Sequence, residues 1–142
     1  MSKIKFLGTA GARFVVAKQL RYSAGTIIKS NTTTLLMDPG PGTLVRLAKS
    51  RPKMDTKSID GIILSHIHLD HSSDANVIID SMTDGGLEKR GLLFAPGEAI
   101  TGENRVILPY LVPFLENVFI LSHKKTYSVG DISFTAYKHE HA

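Results

Sequence analysis

Three observations in the sequence predict an α/β domain. Short β-branched and apolar runs alternate with stretches of helical periodicity. One run, Ile62-Ile63-Leu64, is apolar on both faces, as in a strand inside a helix-covered sheet. The length, 142 residues, suits one core, with about 68% of the unfolded chain's surface available for burial at that size.

The elements follow in order. Residues 4–7 read as a strand that ends in the flexible turn Gly8-Thr9-Ala10-Gly11. The stretch to Ala24 reads as a loop or a strand with a long excursion. Residues 26–30 and 33–37 are β-branched and apolar on either side of Asn31-Thr32, the pattern of a hairpin. Asp38-Pro-Gly-Pro-Gly-Thr43 ends the second strand, and Thr43 is placed to cap a helix with Leu44, Leu47 and Ala48 on one face and Pro52 as its stop. Residues 59–64 resume as a buried strand.

Ala75, Ile78, Ile79 and Met82 recur at i, i+3, i+4 and i+7, an amphipathic helix with Ser72 or Ser73 as cap and Gly85-Gly86 as breaker. Residues 92–95 form another strand. Pro96-Gly97 opens a mixed segment through Pro109 and Pro113. Strands over 118–121 and 127–137, the latter turned at Gly130-Asp131, complete the chain. No repeat, linker or low-complexity tract divides it, so residues 1–142 are read as one domain.

The chain has no cysteine, which excludes disulfide frameworks, iron–sulfur clusters, thiolate zinc sites and cysteine nucleophiles. Any metal must be held by His and carboxylates. The first ten residues contain no apolar core of a signal peptide and no run approaches a membrane span, so the expectation is a soluble, cytoplasmic protein without membrane association. The net charge of +4 suits an anionic substrate, but the excess is spread along the chain and does not by itself indicate nucleic-acid binding.

The chemistry concentrates in His66-Ile-His-Leu-Asp-His71, where four of six residues are potential metal ligands directly after the most apolar strand. In extended chain the two-residue period turns His66 and His68 to one side, where both can ligate one ion. Asp70 and His71 follow as the chain bends toward a helix and can face a second position beside the first. The competing reading is a polar loop whose histidines only cap a helix and hydrogen-bond locally. A third imidazole must come from elsewhere, and Lys138-His-Glu-His141 ends the last strand, offering His139 or His141. Adjacent strands ending on one side of the sheet would bring the two clusters together. Three imidazoles plus water describe a catalytic rather than a structural zinc site.

With these motifs in view, the sequence resembles the metallo-β-lactamase superfamily, in its ribonuclease Z-like and phosphodiesterase-like branch. His66-x-His68-x-Asp70-His71 resembles its dinuclear motif, Phe6-Leu-Gly-Thr-Ala-Gly11 its first strand and turn, and Leu35-Leu-Met-Asp-Pro-Gly-Pro-Gly-Thr43 its Asp-and-Gly motif. Glu140-His141 resembles its next ligand motif, which assigns His141 as third ligand of the first ion, with His139 as the fallback. The resemblance implies an αββα sandwich, of which this chain holds the N-terminal part, two Zn2+ ions, and a bridging hydroxide that attacks a phosphorus or carbonyl centre. In that scheme His66, His68 and His141 hold the first ion; Asp70 and His71 hold the second and help to orient the hydroxide. Asp38 orients a ligand histidine from behind; the alternative for it is turn chemistry before Pro39.

The family pattern continues with a bridging aspartate and a final histidine, neither of which follows the third motif here. The expectation is therefore a domain truncated after that motif, completed by a longer polypeptide or a second copy, with a sheet face and edge exposed and prone to association. The substrate expected is an anionic phosphodiester, RNA or a small or cyclic nucleotide, since no Gly-Pro-Lys-rich arm lies between positions 71 and 141. The alternatives are a mononuclear iron oxidoreductase of sulfur compounds and a catalytically incomplete metal-binding domain. Gly40 and Gly42 read as backbone accommodation, His123-Lys124-Lys125 as a solvated turn, and Arg13, Lys18 and Arg21 as surface.

Overall fold

The computed structural model describes residues 1–140 except Ala12, Gln19, Leu20 and Ala24, and of Arg13 only the backbone. Strands β1 (Lys3–Phe6), β2 (Thr26–Lys29) and β3 (Thr34–Met37) form an antiparallel meander. β4 (Gly61–Ile63), β5 (Leu92–Ala95) and β6 (Asn117–Ile120) extend the same sheet in parallel with β3, in the order β1-β2-β3-β4-β5-β6. The four-residue turn between β2 and β3 permits only antiparallel pairing, whereas the longer crossovers from β3 to β4, β4 to β5 and β5 to β6 return the chain in parallel; β1 is antiparallel to β2 across the longer connection of residues 7–25. β7 (Thr126–Val129) and β8 (Ile132–Thr135) pair only with each other, as a separate hairpin.

Five short helices fill the connections: α1 (Arg13–Ala17), α2 (Thr43–Lys49), α3 (Leu69–Ser72), α4 (Ala75–Met82) and α5 (Gly97–Ile100). Two 3-10 segments, Thr56–Ser58 and Pro109–Phe114, accompany them. No helix among the described residues is long and apolar enough to cross a membrane.

The period of two in the central strands divides the core. Leu36, Ile62 and Leu93 point to the helical side, where Leu47 of α2 and Ile78, Ile79 and Met82 of α4 cover them. Leu35, Ile63 and Phe94 point to the other side, against Tyr127 and Val129 of β7 and Ile132 and Phe134 of β8. Phe94 stacks on Phe119 with ring centroids 4.9 Å apart and meets Phe134 edge-on at 5.1 Å, geometries that add to simple area burial. The result is helices on a large sheet on a hairpin, three layers of the αββα sandwich. The hairpin covers only part of its face. Ile4 and Phe6, in register with the Ile28 and Thr26 side of the sheet, are 65% and 67% exposed.

Several elements differ from the sequence reading. α1 forms where a loop or strand excursion was expected. Thr43 is the first residue of α2 rather than its cap; Gly42 precedes it at φ 83 and the Thr43 hydroxyl donates to Gly40 O at 2.8 Å. Ala48 is exposed. α4 starts after Asp74, not after a serine cap, and Ser72 donates instead to the carbonyls of Ile67 and His68. Asp74 accepts the Leu44 N–H at 2.9 Å, tying the start of α2 to the start of α4. β8 lies in the hairpin and not beside β4. In the first turn, Gly8 is required by close approach: a Cβ there would lie 1.6 Å from Ser23 O.

Asp131, in the β7–β8 turn, ties the hairpin to the β2–β3 turn. Its carboxylate accepts the hydroxyls of Ser30 and of Thr32, the latter at 2.9 Å. The Ser30 bond first, then that of Thr32, holds its pKa below the ordinary aspartate value. A carboxyl depressed in the folded state stabilises fully above its unfolded pKa, and the contribution is lost as pH falls through the folded value. Asp131→Asn is therefore expected to lower the melting temperature at pH 7, with the difference from the parent shrinking below about pH 4. An equal difference at pH 7 and pH 3, read by thermal denaturation, would refute the assignment.

Candidate metal centre

β3 and β4 are parallel, so their C-terminal ends share one edge of the sheet, and the chain leaves β3 at Asp38 and β4 at Leu64-Ser65-His66. The Asp38 N–H donates to Ile63 O at 2.9 Å, continuing the ladder one residue beyond the strand. Asp38 takes a positive φ of 51 and is 8% exposed; Asp is among the few residues that adopt this conformation readily. Its Oδ1 accepts the Ser65 N–H at 2.7 Å, and its Oδ2 accepts the Ser65 hydroxyl at 2.7 Å and His71 Nδ1 at 3.0 Å.

These bonds fix two tautomers. A carboxylate only accepts, so His71 Nδ1 carries a proton, and in the neutral ring its Nε2 presents the lone pair. The Ser65 hydroxyl spends its one proton on Asp38, so at 2.8 Å it must accept from His66 Nδ1. In the neutral ring the lone pair of His66 is then on Nε2, the nitrogen that could ligate. One buried carboxylate thus sets both rings, His71 directly and His66 through Ser65.

The donor atoms gather accordingly. His71 Nε2 lies 3.5 Å from Asp70 Oδ2; two ligands at tetrahedral positions about 2.1 Å from one zinc would be about 3.4 Å apart. The His66 ring is 4.3 Å from that of His71 and 4.8 Å from that of His68, centroid to centroid. His68 occupies the N-cap position of α3, but its side chain makes no capping hydrogen bond, which argues against histidines present only to cap. Among the described residues no three His, Asp or Glu side chains converge on one point as they stand. The donor types and the Asp70–His71 spacing nonetheless suit a divalent metal ion such as zinc.

Residues 137 and 138, which lead into the third motif, approach the same edge by an unexpected route. β4, β5 and β6 are parallel, so the chain leaves β6 on the side of His66, two strands or about 9.5 Å away. His123 follows there, and its Nδ1 accepts the Lys138 N–H at 2.9 Å. The Tyr137 ring packs edge-on to it at 6.1 Å. Residues 138–140 therefore depart from the edge that carries the His cluster, although β8 is not a neighbour of β4. His139 is exposed, and His141, the assigned third ligand, lies outside the described residues.

Sequence reasoning missed Ser65, because a serine between a strand and a histidine carries no signal of its own. His123 lies in an exposed turn, as read, and in addition accepts the Lys138 N–H.

A sequence model described as the Metallo-beta-lactamase superfamily matches residues 20–140. An uncharacterized protein of Methanocaldococcus jannaschii is 31% identical over 84% of this chain and 45% of its own length. A protein named Ribonuclease Z from Thermoplasma volcanium is 32% identical over 90% of this chain and 41% of its own. The solved structure of the metallo-beta-lactamase fold protein YhfI from Bacillus subtilis matches with a TM-score of 0.63 and 19% identity, covering 91% of this chain and 49% of that one. The chain spans less than half the length of the curated relatives it matches.

Proposed function

The chain belongs to the metallo-β-lactamase superfamily, and we propose that it carries the principal metal ligands of a dinuclear zinc hydrolase that cleaves phosphodiesters. His66 and His68, with His141, are the ligands of one ion; Asp70 and His71 serve the other. Asp38 is the positioning residue for both sets. A further carboxylate and imidazole complete the second position, from an additional segment or a second copy. Zinc, when bound, brings the pKa of its water towards 7 and polarises the phosphoryl oxygen.

The observation that carries the reading is the Asp38 network, which holds Nδ1 of His71 directly and Nδ1 of His66 through Ser65, and leaves His71 Nε2 3.5 Å from Asp70 Oδ2. A carboxylate that holds a histidine by its second nitrogen is the usual support of a ligating imidazole. The phosphodiester class is favoured by the relatives named Ribonuclease Z and by the net positive charge.

The test is metal content per native polypeptide, read together with turnover of bis-p-nitrophenyl phosphate. Two zinc ions are expected, with turnover lost on chelation and restored by zinc. One iron per chain with oxygen consumption on a sulfur substrate would overturn the reading in favour of an oxidoreductase. Zinc bound without turnover would overturn it in favour of a non-catalytic metal domain.

A further inference from the structure

Seventeen basic residues are dispersed along the sequence, but folding gathers four of them around one cavity. Lys5 of the edge strand β1 meets Arg46, Lys49 and Arg51, on and just beyond α2, across a cavity of about 480 Å³ that Tyr22 also lines. That volume is in the range of sites that take small molecules or parts of larger ones. No carboxylate lines it, and among the described residues none of the four cations has a carboxylate partner within ion-pair distance. The Arg46 guanidinium lies 3.3 Å from the centroid of the Tyr22 ring, which holds both side chains at the mouth. Tyr22 is 58% exposed. α2, about 10 Å long, runs from the cavity to Asp74, whose carboxylate, three residues beyond His71, accepts the Leu44 N–H.

We infer that this cavity is a second anion site, occupied by the backbone of a single-stranded nucleic acid with one base stacked on Tyr22. Cations without carboxylate partners beside an exposed aromatic ring are the elements of sequence-tolerant single-strand binding. An isolated phosphate would use the cations but has no need of the ring. The inference rests on the phosphodiester reading above and extends it to a polymeric substrate gripped outside the metal centre.

The test uses the native polypeptide in chelator, so that nothing is cleaved, and a fluorescent 12-residue oligouridylate. Lys49→Gln/Arg51→Gln is expected to weaken binding about tenfold at about 50 mM salt. It should also reduce the slope of log affinity against log salt by about 1.4, the loss of two single-strand phosphate contacts. Tyr22→Leu is expected to weaken binding about fivefold, with a smaller change of slope than in the double variant. Turnover of bis-p-nitrophenyl phosphate by the zinc-loaded variants should match the parent, since neither substitution touches the metal loop.

No binding by the parent, or affinity and slope unchanged in the double variant, would overturn the proposal. A Tyr22→Leu variant that binds like the parent would overturn the nucleic-acid occupant in favour of a simple anion. If the double variant loses oligonucleotide affinity while the parent hydrolyses no small diester, the cavity assignment stands and the hydrolase reading falls.

Discussion

Changing His66 and His68 together to alanine is expected to remove one zinc equivalent from the native polypeptide and to lower phosphodiester turnover by about 10³-fold or more. The size follows from the role: a metal that polarises the reacting phosphoryl group and supplies its nucleophile contributes several kcal/mol to the barrier, and about 1.4 kcal/mol is tenfold in rate. The fold should survive. His68 is exposed and makes no capping bond through its side chain, while the hydrophobic residues around the loop, Leu64 before it and Ala75 and Ile78 after it, are fully buried. Metal analysis with circular dichroism therefore separates loss of ligation from loss of structure. A folded double variant with the parent's zinc content would remove these residues from the centre.

The motif that prediction rests on was legible because its information is local. Four potential ligands within six residues, directly after a strand apolar on both faces, need no knowledge of distant chain. β4 and α4 were legible for the same reason: Ile62 and Ile63 do face opposite cores, and Ala75, Ile78, Ile79 and Met82 are all buried. What escaped depends on pairing at long range. The 127–137 hairpin was recognised from its turn, but nothing in its residues says that it forms a second layer rather than joining β6. Helix α3 is only four residues long, less than the periodicity needed to declare it. Ser65 acquires its role only when Asp38, 27 residues earlier, is brought beside it. The basic cavity joins Lys5 to residues more than 40 positions away, so a charge reading along the chain saw only dispersion.

Asp38→Asn isolates the support of the ligands from the ligands themselves. Asn tolerates a positive φ as Asp does, so the backbone at φ 51 is not the variable, and the side chain keeps its size. What changes is that one acceptor becomes a donor. If the amide nitrogen takes the place of Oδ1 it faces the Ser65 N–H, which cannot turn away. If it takes the place of Oδ2 it faces both the Ser65 hydroxyl and His71 Nδ1. The second arrangement can be relieved, but only by moving the His71 proton to Nε2 and turning the Ser65 hydroxyl toward His66. His66 Nδ1 then becomes an acceptor and its Nε2 also gains the proton. Both rings would present N–H where a lone pair is needed. Loss of a carboxylate behind a metal-bound histidine typically costs 10–100-fold in metal affinity. With two histidines affected, the upper end, about 100-fold, is expected in a zinc titration of the native polypeptide, with turnover recovering in part at saturating zinc. Ser65→Ala should give a smaller loss confined to His66, since His71 keeps its direct bond. Equal zinc affinity in Asp38→Asn and the parent would show that the carboxylate serves the turn before Pro39 and not the metal.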